Sequence, residues 1–593
     1  MPEPGRINSL LVGLYGKETG DAVDRRLGAM IDHYQRLTPA PHLRGRGQLT
    51  QSDSILITYG DQVLEPGVPP LRSLADFCQR RLQGLVSSIH ILPFYPFSSD
   101  DGFSVIDYKV VNPDLGSWED LGAFRRSFRL MFDAVINHIS VKSEWFSAFL
   151  GGDPKYRDYF ISVTPSTSGV SGSPDLSQVV RPRVLPLLTE FNTASGRQAV
   201  WTTFSADQVD LNFHNPDVLL DILDVLLFYA AHGAEFIRLD AIAYLWKEIG
   251  TACIHLPQTH AVIQLIRAVL DRVFPQVLLI TETNVPHHEN MSYFGDGSNE
   301  AQMVYNFALP PLVLHALHTG QARALRQWAR ELELPSKTVT FFNFLASHDG
   351  IGLNPVRGIL TEAEIEALVA RAQAHGGLVS YKNNPDGSQT AYELNIAYFD
   401  ALSDPQAGEP LEVQVDRFMA AQAIMLALAG VPGIYFHSLF GSHGWPEGVE
   451  MTGRSRSINR QKLNHAALEG ELQDPSSRRG RVFHRFSQML AARAGSAAFH
   501  PYGEQEIIAT GEAIFGLLRT SLNGEQRALC LHNLAGTPQA LALDWPGLFK
   551  REPVELVDLI TGQTYKRKPG EEWRMAPYQV NWLVDRQFTT FGF

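Results

Sequence analysis

At 593 residues the chain exceeds what a single hydrophobic core organises, so one large domain with one or two appendages is expected. Hydrophobic residues at 44% and charged residues at 19% give an ordinary globular balance that excludes a disordered chain, while a formal net charge of -13 argues against general nucleic-acid or anionic-membrane binding. Cys78, Cys253 and Cys530 stand far apart, form no metal-type spacing and read as buried free thiols.

The opening MPEPGRINSLL lacks a basic segment, an apolar core and a small-residue cleavage site, and no apolar run reaches membrane-spanning length, so a cytoplasmic protein is expected. Residues 7–37 have helical periodicity, with Leu10, Leu11, Leu14, Leu27, Met30 and Ile31 spaced for one face, and Pro39 and Pro41 then end that element. From Ser54 strands and helices alternate: SILITY, a helix from Leu71 to Leu82, SIHILP, a helix near Leu121, then RLMFDAVIN. Such alternation implies a parallel sheet. EFIRLDA, VLLITET, MVYNF, TVTFFNFLAS and GIYFHSLF bring the strands to eight, the number that closes a (β/α)8 barrel.

Two intervals are too long for ordinary connections, and inserted regions are expected at about 139–234, after the third strand, and about 350–407, after the seventh. Both would rise from the strands' C-terminal ends, where barrel enzymes build their pockets. After about Arg493 the pattern becomes short alternating runs with turns at Asn523-Gly524 and Pro546-Gly547, the mark of an antiparallel β domain. The expected division is a helical lead-in over 1–50, a barrel over 51–492 and a β domain over 493–593.

EFIRLDAIAY, Glu235 to Tyr244, delivers Arg238 and Asp240 to the end of the fourth strand. With period 2 both point to the same side, so a guanidinium lies beside the acid and is expected to keep it ionised, as suits a nucleophile. Taken alone, the stretch reads equally as a salt-bridged Asp capping a helix. DAVINH places Asn137 and His138 at the rim after strand three, ITETN places Glu282 after strand five, and ASHDG places His348 and Asp349 after strand seven. Each has a plain structural explanation, but together they fall on one face of one barrel. Glycoside cleavage requires two carboxylates of different character. Asp240 is the candidate anion. Glu282, ending an apolar strand, is the candidate acid, its pKa raised by desolvation. Asp349 is a third carboxylate, free to bind sugar hydroxyls.

DAVINH, FIRLDA, ITETN and ASHDG resemble the four ordered signature regions of the α-amylase superfamily, glycoside hydrolase family 13. That resemblance implies Asp240 as nucleophile, Glu282 as general acid/base and Asp349 as transition-state stabiliser, with His138, Arg238 and His348 at sugar-binding positions. PFYPFSSDDGFSVIDY, LGSWEDL, RPRVLPLL, FALPPLVLHAL, SHDGIG and GRSRSINR are more closely similar to the sucrose phosphorylase subgroup, which exchanges a glucosyl group between an acceptor and inorganic phosphate. By that similarity Asp100 holds the donor glucose, Phe103 stacks near it, and Arg456 is a further glucose-site residue. Tyr244 is placed with the same substrate-binding group.

The longer lead-in, SHDGIGLNPVRG and NNPDGSQTAYELN depart from plain sucrose phosphorylases and resemble relatives acting on 2-O-α-glucosylglycerate or sucrose 6-phosphate. Both acceptors are anionic, which calls for a cation; Arg181, Arg183, Arg357 and Lys382 lie in the inserted loops, and arginine is the better candidate because it grips a carboxylate bidentately. Asn137 matches a calcium-associated position of amylases, yet the phosphorylase subgroup does without the ion, so neither metal nor cofactor is expected and inorganic phosphate is a substrate. The expectation is a retaining phosphorylase acting on small glucosides as a monomer or homodimer, with glucosylglycerate preferred and sucrose 6-phosphate or sucrose as alternatives. An α-glucosidase or transglucosidase is the alternative reaction, and a non-catalytic amylase-like scaffold the alternative class.

Overall fold

Eight short, largely buried strands close a parallel barrel, and each overlaps one of the eight runs expected from the sequence, the fourth starting one residue and the eighth two residues earlier than its run. They are β1 (Ile55–Thr58), β2 (Ser88–Ile91), β3 (Arg129–Ala134), β4 (Ala234–Leu239), β5 (Leu278–Thr281), β6 (Met303–Tyr305), β7 (Thr340–Phe344) and β8 (Val431–Tyr435). Each pairs with its sequence neighbours, and β8 returns to β1 through Ile55 opposite Gly433. The computed structural model describes residues 5–37, 49–163, 176–182, 185–383, 388–568 and 570–588.

The lead-in is a helix pair, α1 (Arg6–Tyr15) and α2 (Lys17–Leu37), broken at Gly16 with φ 79°. Gly20 lets the two backbones meet: a Cβ there would lie 2.8 Å from backbone atoms of Val12. Val23, Leu27, Ile31 and Tyr34 recur at helical spacing and bury one face of α2, which packs on barrel helices Pro216–Ala231 and Pro257–Val273.

The region between β3 and β4 holds a helix, Glu144–Gly151, a three-stranded antiparallel sheet and the short pair His138–Ser140 with Gln208–Asp210. The interval expected as inserted, about 139–234, overreaches, because Pro216–Ala231 is the barrel's own helix leading into β4. An almost unbroken apolar sequence hides that helix among strand-like runs. After β7, the pair Ile351–Gly352 joins the strands Leu378–Asn383 and Gln389–Asn395 in an antiparallel sheet above the barrel mouth.

The C-terminal segment forms a six-stranded antiparallel sheet, with a separate strand pair, Gln539–Leu541 with Trp573–Met575. Arg519 from this sheet donates to the carbonyls of Ala427 (2.8 Å), His500 (2.7 Å) and Glu504 (3.3 Å), and Arg493 to those of Leu426 (3.2 Å) and Gly430 (2.9 Å). These guanidiniums meet the negative end of helix Leu411–Ala427, whose last carbonyls have no partner within the helix.

Candidate active site

Arg238 of β4 is buried in the barrel at 2% exposure and organises the floor of the cavity. Its Nη1 donates to Asp240 Oδ1 at 2.7 Å and to Asp133 Oδ1 at 2.5 Å, and its Nη2 stands 3.7 Å from Glu282 Oε2. The rings of Phe103 and Tyr305 lie 5.7 and 5.4 Å from the guanidinium carbon. Asp133, from β3, is itself held by His90 Nε2 at 2.7 Å.

Asp240 and Glu282 are the residues that follow the register pair Leu239 and Thr281 on adjacent strands. The ladder runs on past the strand ends, since Glu282 N donates to Leu239 O at 3.1 Å. Neighbouring parallel strands stand about 4.8 Å apart, so the two acids rise side by side from adjacent strand ends.

The two acids differ in environment. Burial pushes Glu282 from 4.5 to about 7, helped by Asp240 and Asp349 and opposed by Arg238 and by the hydrogen bond from Ala241 N at 3.1 Å. Burial also pushes Asp240 above its ordinary value against the pull of Arg238. The sequence expectation that Arg238 alone settles the charge of Asp240 is therefore incomplete, because the guanidinium is shared with Asp133. Of the coupled pair, Glu282 is the one that keeps a proton, since Asp240 receives the shorter charge-assisted bond.

One wall is the turn Asp100–Gly102, where Asp100 and Asp101 have φ of 53° and 50° and Gly102 has 112°. A Cβ on Gly102 would come within 2.5 Å of Pro93 O, so only glycine fits. The turn presents Phe103, which stacks on His348 with centroids 4.8 Å apart and planes 4° from parallel. His138 Nε2 is 2.9 Å from Phe103 O and 3.2 Å from Gln208 Nε2. Burial lowers His348 to about 3, with Arg460 and Arg238 adding to the effect, so its ring is neutral at pH 7.

Asp349 is held from the opposite side. Arg456 Nη1 lies 2.6 Å and Arg460 Nη2 3.5 Å from its Oδ1. Burial opposes ionisation there, but these guanidiniums outweigh it and hold the carboxyl well below the usual range. Arg460 also donates to His348 O at 2.9 Å and to Asp101 Oδ2 at 2.5 Å, joining the seventh-strand rim to the Asp100 turn.

Asp100, Phe103, His138, Asp240, Tyr244, Glu282, His348, Asp349 and Arg456 line one cavity, with Arg238 beneath it. Phe204, Gln208, Asn284, Phe307 and Tyr392 line it too and were not singled out from the sequence. Arg181 is exposed while its neighbour Pro182 reaches the lining, and Arg183 lies outside the described residues. Arg357 is engaged by Glu362 at 2.7 Å, and Lys382 is half-buried; among the described residues neither lines the cavity.

Asn137, at the calcium-associated position, has its Oδ1 2.8 Å from Lys247 Nζ, which also lies 2.7 Å from buried Asp210 Oδ2. The side-chain oxygens of Asn137 and Asp210 thus share an ammonium supplied by the chain itself. No group of three or more His, Cys, Asp or Glu among the described residues is arranged to hold a metal ion.

Residues 82–353 match the catalytic domain of α-amylase. The chain is 49% identical to the glucosylglycerate phosphorylase of Spirochaeta thermophila, over 98% of both chains, and 45% identical to that of Escherichia coli, over 98% of this chain and 99% of that one. The chain belongs to the α-amylase family. Within the family, a sucrose phosphorylase of Agrobacterium vitis is 32% identical over 79% of this chain and 93% of its own. The crystal structure of the sucrose 6F-phosphate phosphorylase from Thermoanaerobacter thermosaccharolyticum shares the fold, with a TM-score of 0.70 at 23% identity over 89% of this chain and 98% of that one.

Proposed function

We propose that this chain is a retaining glycoside phosphorylase that converts 2-O-α-D-glucosyl-D-glycerate and inorganic phosphate to α-D-glucose 1-phosphate and D-glycerate. The observation that carries the reading is the identity of 45 to 49%, over nearly whole chains, with three enzymes named glucosylglycerate phosphorylase. The cavity supplies groups suited to that chemistry.

In the first displacement a carboxylate oxygen of Asp240 attacks the anomeric carbon. The bond to the glycerate oxygen breaks, its electron pair stays on that oxygen, and Glu282 delivers the proton. A pKa of about 7 suits that task, since the group is protonated in much of the enzyme at neutral pH and can take a proton back in the second step. Arg238, beside the Asp240 carboxylate at 2.7 Å, orients it and stabilises its charge as the group is displaced again. In the second displacement an oxygen of hydrogen phosphate attacks the same carbon. The bond to Asp240 breaks, the carboxylate is restored, and the phosphate proton passes to Glu282. Two inversions give net retention.

Asp349, held ionised by Arg456 and Arg460, is suited to binding ring hydroxyls and opposing the positive charge that develops at the anomeric carbon. The roles proposed for Asp100, Phe103, His138, Tyr244, His348 and Arg456 are to grip the glucosyl unit. Arg181 and Arg183 are proposed for the anions that alternate at the acceptor side, where phosphate and glycerate attack the same intermediate. No metal or organic cofactor takes part in the proposed reaction. The cytoplasm is the proposed compartment, and no described helix is long and apolar enough to cross a membrane.

A donor screen tests the reading. With phosphate present, glucosylglycerate should release glucose 1-phosphate faster than sucrose 6-phosphate or sucrose does. Faster release from either sucrose compound would replace the proposed donor, and equal sugar release with and without phosphate would replace phosphorolysis by hydrolysis.

A further inference from the structure

We propose that Glu393 is a positioning residue for this reaction, acting through Arg456 to divide that guanidinium between itself and Asp349. The inference rests on the glucosyl-binding reading of the cavity. Glu393 is 1% exposed and sits on the strand Gln389–Asn395 of the region inserted after β7. That strand runs beside the chain that has just left Asp349: Ile351 pairs with Leu394 and Gly352 with Glu393. The approach is close enough to demand a glycine, because a Cβ on Gly350 would lie 2.5 Å from Leu394 O and 2.6 Å from Glu393 Cγ.

The contact so built is a fork. Glu393 Oε1 accepts from Arg456 Nε at 3.0 Å and Oε2 from Nη2 at 2.6 Å, while the remaining nitrogen, Nη1, faces Asp349 Oδ1 at 2.6 Å. One edge of the planar guanidinium is fixed by Glu393 and the other is presented to Asp349. Arg456 lines the cavity together with Asp349, whereas Glu393 stands behind it. If the fixed edge were released, the full fork of Arg456 would be free to close on both oxygens of Asp349. Asp349 would then be withdrawn from the sugar hydroxyls and from the charge developing at the anomeric carbon. Glu393 thereby keeps Asp349 ionised but incompletely paired, the state a transition-state ligand needs.

Glu393→Gln keeps size and shape and removes the charge. Assayed in both directions, it should lower kcat/KM for glucosylglycerate and for glucose 1-phosphate by similar factors of about 10- to 100-fold, the scale of a misplaced active-site group. The KM for phosphate should stay within about twofold of wild type. Adding Arg456→Gln should bring much less further loss than Arg456→Gln causes alone, because the two residues act as one unit.

A merely structural ion pair would behave differently: a lowered melting temperature and a smaller active fraction, with KM for both donors unchanged, would overturn the proposal. Wild-type kcat/KM for both donors in a folded Glu393→Gln variant would overturn it as well. Should the wild-type enzyme release no glucose 1-phosphate, the functional reading fails. The role of Glu393 is then judged by the same comparison on whichever glucosyl donor the enzyme hydrolyses.

Discussion

Glu282 is the residue whose environment makes the sharpest claim on solution behaviour. Its folded value of about 7 against an ordinary 4.5 means that the native state binds more protons than the unfolded state between those limits. Stability contributed at this position is full below about pH 4.5 and falls as pH rises toward 7. Glu282→Gln, which cannot ionise, should match wild type in melting temperature near pH 4 and exceed it near pH 8. The same proton governs cleavage: kcat/KM for the glucoside should fall about tenfold per unit above pH 7, and the residual activity of Glu282→Gln should lack that limb. Asp240→Asn removes the nucleophile and should reduce turnover by several powers of ten, about the scale known for such losses, with the fold intact by circular dichroism. The carboxylates were legible in the sequence because each stands within a few residues of an apolar strand run. Glu393 and Lys247 were not. Their partners, Arg456 and Asn137, lie 63 and 110 residues away in sequence, and a lone Glu or Lys carries no periodic signal. The state of Asp240 was only half legible, since Asp133 competes for Arg238 from a neighbouring strand.

Among the elements, the Asp100–Gly102 turn does the most to shape the cavity, because its left-handed backbone carries Asp100 and leads directly into Phe103. Gly102→Ala places a methyl group against Pro93 O, and the turn must shift. Phe103 would then leave its stack on His348, 4.8 Å away, and kcat/KM should drop by about 100-fold, the effect of an ångström-scale displacement. Wild-type kinetics in that variant would show that the turn does not set the glucosyl site. The barrel strands and the helix pair α1 and α2 followed from period and breaker residues. The end of the first inserted region did not, because helix Pro216–Ala231 buries residues on nearly every side and so lacks an amphipathic pattern. In the C-terminal sheet the strand Glu504–Ile508 carries little strand signal, because its exposed half is charged and reads as loop.

At the scale of the whole molecule, the barrel and the C-terminal sheet are joined through buried arginines that solvate the end of a barrel helix. We propose that the β domain begins near Ser496, just past the helix Arg478–Ala494 that carries Arg493, where these bonds cross over. Arg519→Met would remove a donor from the carbonyls of Ala427, His500 and Glu504; His500 O keeps its bond from Gly503 N at 2.8 Å, and a buried acceptor left unpaired costs about 1–3 kcal/mol. A clearly lowered thermal midpoint with unchanged KM for the glucoside is expected, since the cavity lies at the other end of the barrel strands. An altered KM would mean that the sheet also shapes the site. The measurement that bears most directly on the central claim follows the products of glucosylglycerate cleavage by NMR, with and without inorganic phosphate. The account predicts that glucose 1-phosphate accumulates first as the α-anomer, together with glycerate and only when phosphate is present; an initial β-anomer, or free glucose formed equally fast without phosphate, would contradict it.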